Sequence, residues 1–134
     1  MIFLKKRAAN LTVFSLGAFG YGLIEILWRG HTHWSMLTAG GLSFLGLSRI
    51  EQTMRKASLI KKAFLGCALI TGIEYIFGII FNVVLKKNVW NYSRMPMNIG
   101  GQVCALYSFF WFILSFIFIP FAGKLTKAFK PEPA

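Results

Sequence analysis

The chain has 134 residues, of which 56% are hydrophobic and only 14% charged. A soluble domain of this size has too much surface for its volume to hide that apolar content, so lipid is its natural solvent. The formal net charge of +11 could point to nucleic acid, but the basic residues fall between hydrophobic runs, as in membrane proteins, and no nucleic-acid partner is expected.

The N-terminal stretch MIFLKKRAANLTVFSLGAFGYGLIEILW starts basic and turns apolar, as a signal peptide does. The run is too long and ends without a small-residue cleavage site, so it predicts a retained first span at about residues 9–28. Trp28 and Trp34 bracket the next loop and place it at the membrane interface. That loop carries His31 and His33. Their spacing suits two ligands on an extended segment, but no Cys or Asp accompanies them. They are weak metal candidates, read first as interfacial residues, and no metal or other cofactor is expected.

A second apolar run, residues 35–49, is short for a span and rich in Gly and Ser. Small residues favour close helix contact in membranes, so a span packed inside the bundle is expected. Residues 49–62 are basic and polar, fitting either a surface-lying amphipathic helix or a solvated loop. The third and fourth spans are expected at residues 63–85 and 103–122. Pro120 lies near the end of the fourth, where a missing donor costs little. The tail, residues 123–134, is basic, then Pro-rich, and expected to be disordered at its end. Cys67 and Cys104 sit inside apolar runs and read as inert thiols.

The expected fold is an all-α membrane protein: one domain, a four-helix transmembrane bundle. The two halves rhyme. Each has a helix with one glutamate, an outer loop with tryptophan, and a glycine pair, Gly40–Gly41 or Gly100–Gly101. Two tandem two-helix repeats would give this pattern. Four spans put the N-terminus, the 49–62 loop and the tail on one side, together with all but four of the 15 Lys and Arg residues. The exceptions are Arg29, Lys86, Lys87 and Arg94. Both termini are therefore expected in the cytoplasm.

The stretch KKNVWNYSRMPMNIGGQ, residues 86–102, then faces outward. Pro96, Gly100 and Gly101 break helix there and predict an irregular or re-entrant loop, which is tolerated at membrane depth only against protein or a water-filled cavity. Glu25 and Glu74 are the acids inside apolar runs. Such a carboxylate costs about 3 kcal/mol at the bilayer centre on insertion scales and usually faces the bundle interior. Asn82 lies two turns beyond Glu74 on roughly the same face. With Arg94 and Asn98 it could form a polar path from the outer mouth toward Glu74, although a snorkelling Arg94 explains that residue as well. The candidate ligand-contacting set is Glu74, Asn82, Trp90, Asn91, Tyr92, Arg94, Asn98 and Gln102, with Glu74 and Glu25 as candidates for acid–base chemistry. No phosphate-binding loop occurs, so this chain is not expected to hydrolyse ATP.

The run Trp90 to Gly100, W-N-Y-S-R-M-P-M-N-I-G, with Gly101 after it, resembles the signature W-[DN]-Y-S-x-x-P-x-N-x-x-G of the bacterial ABC-transporter type IV (CmpB-like) membrane proteins. Gly72-Ile73-Glu74, Trp111 and the pattern of Gly20–Glu25 match its flanking positions. Asn91 stands where the family often has aspartate. The resemblance implies a permease-like component of a bacterial plasma membrane, with any ATPase on another chain. Membrane lipids are the expected surroundings, and a homo-oligomer or a separate partner subunit is compatible with the resemblance. Three functions remain open: a transport protein with Glu74 and Glu25 behind the outer loop, an integral membrane enzyme acting on a lipid or isoprenoid, and a non-catalytic scaffold or regulatory subunit.

Overall fold

In a computed structural model that describes residues 2–129, the chain is helical apart from its connections. The end of the tail, residues 130–134, lies outside the described residues. Four helices run Ile2–Arg29 (α1), Trp34–Thr53 (α2), Leu59–Gly78 (α3) and Ala105–Phe129 (α4). The described residues contain no strand, only an isolated bridge between Ile99 and Val103.

Three segments, Arg7–Arg29, Leu59–Val84 and Ala105–Leu125, are long and apolar enough to cross a membrane. Their outward faces carry Leu11, Phe19, Leu27, Phe64, Ile76, Phe109 and Ile117, all exposed. A water-soluble surface would not leave so many large apolar side chains uncovered.

Helix α2 is the exception in composition. It spans 20 residues, about 30 Å at the helical rise, but its run of Ser, Thr and Gly makes it less apolar. It packs against α1, α3 and α4 and buries Ser35, Gly40, Gly41 and Ser48. Polar and small residues that would be unfavourable against lipid thus face protein. The closest approach is to α1: a Cβ on Gly17 would lie 2.7 Å from the Gly40 carbonyl oxygen, and one on Gly40 would lie 3.0 Å from that of Gly17. Only glycine permits backbones this near one another.

The basic stretch 49–62 is neither a separate surface helix nor a long loop. It comprises the last turn of α2, a turn over residues 54–58, and the first turn of α3. Ser58 caps α3 by accepting from the Lys61 amide. Lys62 is buried and donates to both oxygens of Glu51, at 3.1 and 3.2 Å, and to the Arg55 carbonyl. These bonds pin the turn to both helices.

The helix α4 continues through Pro120 to Phe129, beyond the predicted end at 122. Proline removes one backbone donor, which here does not end the helix. At the opposite end of the hairpin, α3 runs directly into a π-helical turn over Ile79–Val84. π turns widen the backbone and often occur at functional sites; this one carries Asn82 on the side where the outer loop folds back.

The two glycine pairs that suggested a repeat have different structures. Gly40–Gly41 lie inside α2, whereas Gly100 and Gly101 lie in a turn with φ of +61° and +75°. The loop they belong to is irregular, with Lys86, Asn88 and Met97 also left-handed.

Candidate functional site

The loop between the π turn and α4 is held down by the helices. Val89 and Trp90 are buried with Met36 and Phe81 in one apolar cluster, against which Tyr21, Phe77 and Tyr92 pack. Asn82 directs the fold-back. Its carbonyl oxygen accepts from the Val89 amide at 2.7 Å and the Trp90 amide at 3.3 Å, and its amide donates to Gln102 Oε1 at 2.9 Å. Trp90 Nε1 donates to the Gln102 carbonyl at 2.8 Å. The loop's entry and exit segments are therefore joined through one π-turn side chain. Gly78 completes the seat: a Cβ there would meet Gln102 Oε1 at 2.5 Å and the Trp90 ring at 3.0 Å.

The rest of the motif shapes the loop itself. Asn91 Oδ1 accepts from the Ser93 amide. Asn98 donates to the Met95 carbonyl and accepts from the Gly101 amide. The Tyr92 amide donates to the Gly101 carbonyl at 2.8 Å. Pro96 and Arg94 are exposed at the loop tip. Arg94, Asn98 and Asn82 thus lie in different settings, and among the described residues none of their side chains bonds directly to Glu74.

Glu74 is reached instead by aromatic side chains. The residue is 5% exposed. The Tyr92 hydroxyl approaches Oε2 at 3.5 Å, the outer limit of a hydrogen bond. Oε1 is buried with no partner, and so is Trp111 Nε1. Burial, followed by the neighbouring Glu74 charge, pushes the Tyr92 phenol well above its ordinary value and keeps it a neutral donor. Tyr92 also stacks on Tyr107, with ring centroids 4.8 Å apart, and Tyr21 lies against Trp111 at 5.9 Å.

Two clefts meet here. One, of about 240 Å³, runs between the helices and is lined by apolar residues of α1, α2, α3 and α4, by Glu74, and by Tyr21, Trp90 and Trp111. The other, of about 290 Å³, lies toward the loop and includes Glu25, Arg29, Tyr92 and Tyr107. Tyr21, Trp90 and Trp111 line both.

Glu25, the second predicted acid, is 7% exposed but differently placed. Arg29 Nε donates to it at 2.6 Å, and Arg29 Nη1 donates to the Val89 carbonyl at 2.9 Å. The pair thereby ties the end of α1 to the loop that follows the π turn. His33 caps α2: its Nδ1 accepts from the Ser35 amide and lies 2.7 Å from the Ser35 hydroxyl. His31 is exposed. Among the described residues no cluster of three or more His, Cys, Asp or Glu could hold a metal ion. Cys67 donates to the Ser108 carbonyl, and both cysteines are free thiols.

Reasoning from spacing missed Tyr21, Arg29, Trp111 and Tyr107 as site residues. Arg29 had a readable signal, four residues after Glu25 on one helix face. Of the three aromatics, Trp111 matched a flanking position of the family pattern and Tyr21 lay inside another, but spacing singled out none of them, because aromatic residues are common throughout the chain. Residues 14–132 match the family described as "Putative ABC-transporter type IV". No curated protein matches the chain, and no solved structure does.

Proposed function

The chain belongs to this ABC-transporter type IV family, and from that premise we propose that it is a permease-like, multi-pass subunit of a transport system whose ligand site is the cleft beside Glu74. One observation carries the placement of the site: a buried carboxyl oxygen without a partner, in an apolar cleft to which all four helices contribute. An unpaired buried carboxyl is costly, so its retention inside a span points to use. In this reading α2 crosses with the other helices as a fourth span, and the bundle sits in a bacterial plasma membrane. The distribution of Lys and Arg supports a reading with both termini in the cytoplasm. Energy comes from an ATPase on a separate chain. Trp90, Asn82 and Gln102 position the loop that closes the outer end of the cleft, and Asn98 and Pro96 shape it.

The test compares the distribution of small molecules between cells and medium in three strains: wild type, gene deletion and Glu74→Gln. The proposal expects a compound whose distribution shifts in the deletion and shifts alike in the substitution. A deletion that moves no compound contradicts transport. A substitution that behaves as wild type, while the deletion does not, contradicts the role of Glu74.

A further inference from the structure

The charges lining the two clefts do not cancel. Three charged residues line them: Glu25, Arg29 and Glu74. Glu25 and Arg29 form an ion pair at 2.6 Å, which removes both from the balance. Among the described residues Glu74 has no cation beside it; its polar neighbours include the Tyr92 hydroxyl and, in the shared wall of the clefts, the indole of Trp111. Glu74 is therefore the one carboxyl lining the clefts that is left for a cationic ligand to meet.

The walls add a second requirement. Tyr21, Trp90 and Trp111 present aromatic rings to the same space. Ring faces attract cations, and a cation whose charge is spread over an apolar body loses little on leaving water. Elsewhere the deep cleft is lined by side chains such as Leu16, Ile70 and Leu114, which offer nothing to a hydrated inorganic ion. An anionic amphiphile would put its charge against Glu74 and find Arg29 already engaged with Glu25 and Val89.

We infer that the ligand of this cleft is an apolar organic cation, of the substituted ammonium or phosphonium class. Its charge sits against Glu74 and the aromatic rings, and its body against the apolar walls. The inference rests on the transport reading only for placing the ligand in this cleft.

Equilibrium dialysis of the purified full-length chain in nonionic detergent tests it, with protein-free micelles as the partition blank. Tetraphenylphosphonium and tetraphenylborate, of nearly the same shape and opposite charge, are the probes. The expected result is saturable binding of the cation and none of the borate. Glu74→Gln should weaken cation binding at least tenfold, and Glu74→Asp, which keeps the charge, should weaken it far less. Binding of the borate as tightly as the cation, no saturable cation binding, or unchanged binding in a folded Glu74→Gln variant would overturn the inference. Should Glu74→Gln not fold, the cation–borate comparison on the wild type decides alone. An anionic or neutral compound redistributed in the deletion strain would overturn the ligand class and leave transport standing. Saturable cation binding with no compound redistributed would do the reverse.

Discussion

Glu25 and Glu74 are two carboxyls in apolar helices, almost equally buried at 7% and 5% exposure, with opposite surroundings. Glu25 has an arginine one turn away on its own helix, and that arginine also reaches the outer loop. Glu74 has the Tyr92 phenol at 3.5 Å, the Trp111 indole nearby and an oxygen that accepts no hydrogen bond among the described residues. Burial alone therefore does not mark a site; the difference lies in whether the local structure already supplies the compensating group. Glu25 reads as a tie between α1 and the loop, and Glu74 as a group left for a ligand.

Removing the partner of Glu25 breaks the comparison most severely. Arg29→Ala leaves a buried carboxylate unpaired and frees the Val89 carbonyl. Losing one partner of a fully buried pair costs about 3–5 kcal/mol; with the Arg29 side chain a quarter exposed, about 2–3 kcal/mol is expected. Unfolding in mixed micelles, followed by far-UV circular dichroism against the mole fraction of denaturing detergent, measures it.

Next in size is Gly78→Ala. The added methyl meets Gln102 and Trp90, and such overpacking costs about 1–3 kcal/mol. The loop should lift from its seat, and faster tryptic cleavage at Lys86 and Lys87 in the folded state reports this.

Glu25→Gln should cost about 1 kcal/mol, because Arg29 keeps its bond to Val89 but loses a charged acceptor. The same unfolding experiment checks it. Glu74→Gln should change stability by less than about 0.5 kcal/mol, since no cation loses its partner. The double-mutant cycle with Arg29 sharpens the contrast: coupling is expected for Glu25 and none for Glu74. Equal coupling of both glutamates to Arg29 would erase it.

The helical architecture was readable because long apolar runs separated by basic turns admit little else in lipid. The ends were less so. Residues 49–62 look like a loop because they are polar, yet helical hydrogen bonds run through most of them and Glu51 pairs with Lys62. Helix periodicity placed Asn82 with Glu74, but the π turn changes the period just before it and turns its side chain to Gln102. Arg94 drew attention as a lone cation in the motif, and its exposure depends on a loop path set by left-handed residues at 86, 88 and 97. The Glu25–Arg29 pair was local and could have been read; the aromatic wall around Glu74 joins α1, the loop and α4, and only tertiary packing assembles it.

The central claim, that Glu74 is free for a ligand while Glu25 is committed, can be measured by chemical labelling. Dicyclohexylcarbodiimide adds to unpaired carboxylic acids in apolar sites and leaves a stable N-acylurea that peptide mass spectrometry locates. Modification of Glu74 is expected in the folded, membrane-embedded chain, with Glu25 unmodified in the same sample. Labelling of Glu25 in preference to Glu74, or of both to the same extent, would contradict it.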